Sequence, residues 1–117
     1  MIHDDERDLL EFVYTPLFER TRRDLLTDEE VRRIEDMLLA HPDAGDVMEG
    51  TGGVRKLRIA LGGRGKRGSA RLLYLHVRIR QTIYLIMAFA KNAQANLTDE
   101  QRKVVRQIAE AIKKERG

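Results

Sequence analysis

The stretch that decides the fold is residues 54–90, VRKLRIALGGRGKRGSARLLYLHVRIRQTIYLIMAFA. It holds three runs of β-forming residues, bounded by a glycine-rich segment and by a polar break at Gln81. Val54 to Leu61 alternates well enough for a first strand of the three, and Ala70 to Arg78 forms the second. Thr82 to Ala90 is apolar on both faces, as the central strand of a sheet would be. The stretch therefore predicts three consecutive strands joined by short connections.

Signals for helices lie on both sides of these strands. Leu10 to Thr15 is a short run of β-formers, and Thr15-Pro16 then supplies an N-cap and a first helical residue. Thr27 to Glu30 is a capping box that opens a second helix, which His41-Pro42 ends. Thr98 to Gln101 is another capping box, and it opens a final helix with an apolar face that includes Val104, Ile108 and Ile112.

The predicted order of elements is β-α-α-β-β-β-α, which places the chain in the α+β class. We expect a small antiparallel sheet with two N-terminal helices and a C-terminal helix, all gathered on one side. The 117 residues suffice for one domain. Residues 1–9 are expected to be a loosely ordered acidic extension of that domain.

Composition excludes several classes of protein and site. There is no cysteine, and no two histidines have the spacing of metal ligands, so we predict no disulfide, metal or cofactor. Gly65-Lys66 lacks the rest of a nucleotide-binding phosphate loop. The charged N-terminus does not resemble a signal peptide, and the apolar run from Ile83 to Ala90 is far below the roughly 20 residues that span a bilayer. We therefore expect a cytoplasmic protein.

The distribution of charge is more informative than the net charge of +3. Residues 1–49 carry 15 acids and 6 bases, whereas residues 50–98 carry 10 bases and no acid. Ten like charges repel one another, and a polyanion offsets that cost because each neutralised phosphate releases counterions. A basic block of this kind indicates nucleic-acid binding. The alternative is that the acidic N-terminal third folds over the block and pairs with it.

The basic strand pair is the main candidate site. Lys56 and Arg58 share one face of the first strand of the hairpin, with Arg55 beside them and Arg71 on the partner strand. Lys91 ends the last strand. Convergent cations can bind a phosphodiester and stabilise the extra charge of a pentacoordinate transition state, and a lysine of lowered pKa can transfer protons. The pattern indicates phosphate binding more strongly than catalysis.

Two further side chains have competing interpretations. Tyr74 could stack on an RNA base, but a core tyrosine on a strand is at least as consistent with its position. His76 lies in the middle of the same strand, where a structural or solvent-facing role is favoured over a catalytic one.

Three segments together resemble the HigB branch of the RelE toxin superfamily. They are GTGGVRKLR at residues 50–58, GKRGSARLLY at residues 65–74 and AKNAQANLT at residues 90–98. The resemblance covers about residues 10–112. It implies the fold of that superfamily and a ribosome-dependent endoribonuclease that cleaves mRNA, silenced by an antitoxin that is often a helix-turn-helix protein.

The resemblance also assigns roles to residues. Lys56 and Arg58 match the basic strand, Arg71 the arginine that stabilises the phosphate, and Lys91 the basic end of the last strand. A loop that grips RNA would contain Arg64, Lys66 and Arg67. The founding branch has an arginine and a tyrosine near the C-terminal part of its site, where this chain has Asn92 and Thr98. The base that accepts the 2′-hydroxyl proton is therefore open, with Lys56 or Lys91 as the first choice.

Two other functions are compatible with the sequence. One is a non-enzymatic toxin similar to the ParE branch, which shares the fold and inhibits DNA gyrase. The other is an inactive RNA-binding module. For the antitoxin, either charge pairing with the acidic first half or addition of a strand to a sheet edge is possible.

Overall fold

A computed structural model describes residues 10–62 and 68–115. Its five strands form one sheet in the order β1-β5-β4-β3-β2, and three helices pack against it. In chain order the elements are β1 (Glu11–Tyr14), α1 (Pro16–Arg22), α2 (Asp28–Ala40), β2 (Asp46–Val47), β3 (Arg55–Ala60), β4 (Ser69–Val77), β5 (Thr82–Ala90) and α3 (Asp99–Lys114). The α+β class is confirmed. Residues 1–9, expected to be an acidic extension, lie outside the described residues.

The helix starts follow the predicted caps. The Thr15 hydroxyl accepts a hydrogen bond from the Phe18 N–H, and it also lies within bonding distance of the Leu85 and Ile86 carbonyls of β5. One side chain therefore caps α1 and fixes it to the sheet. Both predicted capping boxes are formed, at Thr27 in α2 and at Thr98 in α3.

The break at Gln81 is also confirmed. A short 3₁₀ turn, Arg78–Arg80, follows β4, and Gln81 has a left-handed backbone with φ of 51°. This conformation reverses the chain, so that β5 returns antiparallel to β4. It strains any residue other than glycine, and asparagine or aspartate tolerates it best.

The sheet is mixed, which corrects the prediction of an antiparallel sheet. β2, β3, β4 and β5 are antiparallel neighbours, but β1 pairs parallel with β5. No hairpin sets the direction of β1, because the rest of the fold separates it from β5 in sequence. β2 adds a fifth strand that the predicted order of elements lacks.

The helices cover both faces of the sheet, so the expectation that they gather on one side was wrong. On the face covered by α1 and α2 (the α1–α2 face), Phe18 and Leu38 pack against Leu72 and Leu85 of the sheet. On the opposite face (the α3 face), Val105 and Ala109 pack against the neighbouring strand residues that point the other way, such as Leu73. Two cores therefore hold β4 and β5 between them, which explains why β5 is apolar throughout.

The helix α3 is rotated from the expected position. Val105, Ala109 and Ile112 are buried, whereas Val104 remains 40% exposed. The Arg80 side chain holds the far end of the helix by donating hydrogen bonds to the carbonyls of Ile112 (2.8 Å) and Lys113 (3.3 Å) and to the Tyr84 hydroxyl (3.1 Å). Carbonyls in the last turn of a helix lack partners within the helix, so the guanidinium acts as a C-terminal cap.

Replacing Arg80 by alanine should therefore destabilise the protein by about 2 kcal/mol, because these hydrogen bonds and a fourth one, to the Glu115 carbonyl, lose their charged donor. Urea denaturation measures the change. Arg32→Ala is the matched control, since Arg32 is exposed on α2 and its loss should change the free energy of unfolding by less than about 0.5 kcal/mol. Equal values for the two variants would contradict the role of Arg80.

Candidate nucleic-acid interface

The strand register places two arginines directly opposite each other. In the pairing of β3 with β4, Arg58 is aligned with Arg71 and Lys56 with Leu73. Side chains at directly opposed positions share a face of the sheet and have Cβ atoms about 4.5–5.5 Å apart. Leu73 belongs to the core of the α3 face, so Lys56, Arg58 and Arg71 project on that face. The predicted sharing of one face by Lys56 and Arg58 is confirmed.

The hydrophobic core on the α3 face ends next to Arg58 and Arg71. Arg71 is aligned with Phe89 of β5, and Phe89 is buried in the same core as Leu97 and α3. Arg58 is exposed and Arg71 is half-buried. The site is therefore a basic strip at the margin of the hydrophobic core, with the core supporting the strands from one side.

Lys91 lies at the same end of the sheet. Its N–H donates to the Ser69 carbonyl (3.0 Å), which extends the ladder between β4 and β5 by one residue. Ser69 also contacts the site directly, because Arg71 Nη1 donates to its hydroxyl and to the Ala70 carbonyl, each at 3.3 Å. The structure thus places Arg58, Arg71 and Lys91 towards one end of the sheet, whereas Lys56, aligned with Leu73, lies on the same face nearer the middle of β4.

The positive charge at this end has no partner in the described part of the chain. No Asp or Glu among residues 10–62 and 68–115 forms an ion pair with Lys56, Arg58, Arg71 or Lys91. Like charges placed directly opposite on two strands destabilise a sheet. An anion that binds between them removes that cost, and a phosphodiester has the charge and the acceptor oxygens that two guanidinium groups can bind.

Tyr74 and Arg55 lie on the opposite face from this strip, and the burial of Tyr74 contradicts its predicted stacking on an RNA base, whereas RNA contact by Arg55 stays a prediction. Tyr74 has no exposed surface and packs in the core of the α1–α2 face, so its ring cannot stack on a base. Its hydroxyl accepts from the Gly45 N–H and donates to the Pro42 carbonyl, both at 2.9 Å. Arg55 is aligned with Tyr74 and donates to the Gly45 carbonyl (2.6 Å). Both side chains fix the segment before β2.

A second cluster of charges surrounds Asp43 in that segment. Its carboxylate contacts His76 Nδ1 and Arg78 Nη2, each at 2.9 Å, and lies 3.7 Å from Arg55 Nε. The hydrogen bond with His76, followed by the charge of Arg55, holds the pKa of Asp43 below its usual range. The structural interpretation of His76 is thereby supported. Asp43, an acidic residue of the N-terminal half, therefore neutralises part of the basic block, but at a position away from the basic strip.

Some predicted site residues take no part in the strip. Arg64, Lys66 and Arg67, the predicted RNA-gripping loop, lie outside the described residues. Thr98 caps α3 by accepting from the Gln101 N–H (3.0 Å), so the residue at this place is structural. Asn92 is exposed in the turn that follows Lys91.

Sequence reasoning missed Asp46. The residue forms β2 and is aligned with Lys56, so a carboxylate lies beside the basic strip although it is ten positions away in sequence. The predicted order of elements has no strand between the second helix and Val54, so this pairing was not expected. Asp46 and Val47 could not be recognised as a strand from the sequence, because two residues are too few to show an alternating polar and apolar pattern.

The described part of the chain also limits other kinds of site. It contains no group of histidine, aspartate or glutamate residues arranged to hold a metal ion. None of its helices combines the length and the apolar character that crossing a bilayer requires.

Comparison with known proteins gives two results. The family described as "RelE toxin of RelE / RelB toxin-antitoxin system" matches residues 11–116. Among solved structures, a double arginine mutant of the E. coli toxin RelE in the free state superposes with a TM-score of 0.53 and 16% sequence identity. The match covers 74% of this chain and 87% of that one. At this identity the structural match supports the fold alone.

Because Arg58 and Arg71 face each other, we expect this pair to favour phosphate binding while lowering the stability of the fold. Arg58→Gln should raise the free energy of unfolding by about 0.2–1 kcal/mol in low salt, because it removes a like-charge pair. The gain should shrink in high salt as screening increases. Arg33→Gln on α2 is the control, since Arg33 is exposed and pairs with Glu29 at 3.3 Å. A free energy of unfolding that is lower for Arg58→Gln than for the wild type at every salt concentration would contradict the prediction.

The Asp43 cluster predicts a dependence of stability on pH. A folded-state pKa below the unfolded value of about 3.9 contributes stability above that value, and the contribution is lost as the pH falls through the folded-state pKa. Wild-type Tm should therefore fall more steeply below about pH 4 than that of Asp43→Asn, which has no such proton to bind. Thermal melts by circular dichroism measure both proteins, and parallel pH profiles would contradict the role of Asp43.

Proposed function

This chain belongs to the RelE toxin family, and we propose that it is a ribosome-dependent endoribonuclease that cleaves mRNA and so inhibits translation. The observation that carries the proposal is the opposed pair of Arg58, which is exposed, and Arg71, which is half-buried; neither has an acidic partner in the described residues. Such a pair costs stability unless an anion binds there. Family membership identifies the protein as a toxin of a toxin–antitoxin system and implies an antitoxin partner.

In the proposed reaction the RNA supplies its own nucleophile. The 2′-hydroxyl oxygen forms a bond to the adjacent phosphorus, and the bond from phosphorus to the 5′-oxygen of the next nucleotide breaks. One proton leaves the 2′-hydroxyl and another reaches the departing 5′-oxygen. Arg58 and Arg71 would bind the phosphate oxygens and stabilise the extra negative charge of the pentacoordinate state. Lys56 and Lys91 are the proposed proton-transfer groups.

The basic segment with Arg64, Lys66 and Arg67 would bind RNA of the ribosome more than the message, because a basic, glycine-rich segment can follow a phosphate backbone. Action on translating ribosomes implies a cytoplasmic location. We retain the HigB-like branch as the nearer group within the superfamily, on the three motifs of the sequence.

The central test is Arg71→Ala. Induction of this variant in a bacterial host should no longer arrest growth, and purified programmed ribosomes should show a loss of cleavage of at least about a hundredfold, since removal of one charge stabiliser typically has this effect. Primer extension on the ribosome-bound message locates the cuts. The fold should remain, because the Arg71 side chain lies at the margin of the core.

Arg106→Ala is the matched control, an exposed arginine of α3 that pairs only with Glu110 among the described residues. It should retain full cleavage. If the double variant Arg71→Ala with Lys91→Ala remained toxic, the proposed nuclease activity would be contradicted. Growth arrest with intact messages, together with inhibited supercoiling by DNA gyrase, would instead favour the non-enzymatic ParE-like function.

A further inference from the structure

A carboxylate lies beside the basic strip. Asp46 of β2 is aligned with Lys56 of β3, so the two side chains share the α3 face with Arg58. Arg58 is two residues further along β3, which places it about 8 Å from Asp46 in the plane of the sheet. Asp46 therefore belongs to the same surface as the opposed arginines.

The Asp46 side chain is accessible, and its backbone is fixed. Asp46 is exposed, and it forms no ion pair with Lys56 or with any other residue in the part of the chain that the structure describes. The preceding Gly45 is held on both sides, because its N–H donates to the Tyr74 hydroxyl (2.9 Å) and its carbonyl accepts from Arg55 (2.6 Å). A fixed strand thus presents an accessible acceptor group next to the strip.

A carboxylate at this place disfavours simple phosphate binding. It repels the backbone of any polyanion that Arg58 and Arg71 attract, and so it lowers the affinity that these cations provide. Contact with a base avoids that repulsion, because base edges are uncharged and some of them offer hydrogen-bond donors. The position of Asp46 therefore fits contact with a base better than contact with a phosphate.

Guanine is the base whose donors match a carboxylate. Its Watson–Crick edge presents N1–H and N2–H side by side, and the two oxygens of an ionised carboxylate can accept both at once. Adenine and cytosine each present one amino group next to a ring nitrogen that only accepts, and uracil presents one N–H between two carbonyl oxygens. Those acceptors repel the second carboxylate oxygen. In single-stranded RNA the Watson–Crick edges are unpaired and open to such contacts.

The spacing indicates which nucleotide carries this base. A phosphate between Arg58 and Arg71 and a base at Asp46 are separated by about the reach from a phosphodiester to the base edge of an adjoining nucleotide. The ribose between them would lie over Lys56, one of the proposed proton-transfer groups. The attacking 2′-hydroxyl belongs to the nucleotide on the 5′ side of the cleaved bond, so this ribose would be the one that supplies it.

We propose that Asp46 binds the guanine base of the nucleotide on the 5′ side of the cleaved bond and so determines where the protein cuts RNA. The carboxylate accepts from guanine N1–H and N2–H, while Arg58 and Arg71 hold the 3′-phosphate of the same nucleotide. Asp46 is thus a specificity-determining residue that contacts the substrate away from the reacting atoms. The inference rests on the proposed nuclease function and adds the choice of base to it.

The test measures binding of the full chain to short oligouridines that carry guanine, hypoxanthine or adenine at one central position. Their 2′-hydroxyls are replaced by hydrogen, so that no cleavage occurs, and fluorescence anisotropy gives each Kd. The wild type should bind the guanine oligomer at least about fivefold more tightly than the adenine oligomer, as a bidentate contact to a base typically achieves. Hypoxanthine, which lacks the N2 amino group, should lose part of this preference.

Asp46→Asn should lose the preference for guanine over hypoxanthine, because an amide cannot accept two hydrogen bonds side by side. Its affinity for all three oligomers should not fall below that of the wild type for adenine, since a negative charge is removed. Asp36→Asn is the matched control, because Asp36 is exposed on α2 and its loss should leave the preference unchanged. A wild type that does not discriminate guanine from hypoxanthine, or an Asp46→Asn protein that still does, would overturn the inference.

Cleavage on programmed ribosomes separates this inference from the proposed function. Primer extension on messages that carry each of the four bases before one fixed phosphate should show cuts after guanosine for the wild type and after other bases as well for Asp46→Asn. Cleavage by both proteins at the same positions refutes the role of Asp46 alone. A preference for guanine in binding without any cleavage refutes the nuclease alone.

Discussion

Arg58 and Arg71, opposed across β3 and β4, are the constraint on which the interpretation of this protein depends. Their repulsion is maintained because two hydrophobic cores, one on each face, fix the register of β4 between β3 and β5. A shift of β4 by one residue would move Arg71 to the opposite face, away from Arg58. The fold therefore stabilises a local arrangement that is unfavourable until an anion binds, which is how a preorganised charge-binding site is expected to behave.

The length of β2 decides how much of the sheet edge is covered. In its register with β3, the residue that would bond Arg58 is Ala44, but the Ala44 N–H donates to the His41 carbonyl at 3.1 Å. Tyr74 and Arg55 hold the neighbouring Gly45 through its N–H and its carbonyl. The edge of β3 beside Arg58 therefore stays open in the described part of the chain.

Most local structure was predictable because its causes lie within a few residues. The capping boxes at Thr27 and Thr98 and the polar alternation of β3 are short-range signals. The parallel pairing of β1, the face taken by α3 and the approach of Asp46 to Lys56 depend on long-range packing. Tyr74 could not be assigned to a face because β4 is buried on both sides, so its sequence has no polar alternation there.

The most direct test of the basic strip is the salt dependence of binding to a single-stranded RNA whose 2′-hydroxyls are replaced by hydrogen. The slope of log K against log salt should become shallower by about 0.7 for each of Arg58→Gln and Arg71→Gln, since each removes one phosphate contact. Arg33→Gln should leave the slope unchanged. Slopes that are the same in all four proteins would show that the phosphates bind elsewhere and would contradict the account.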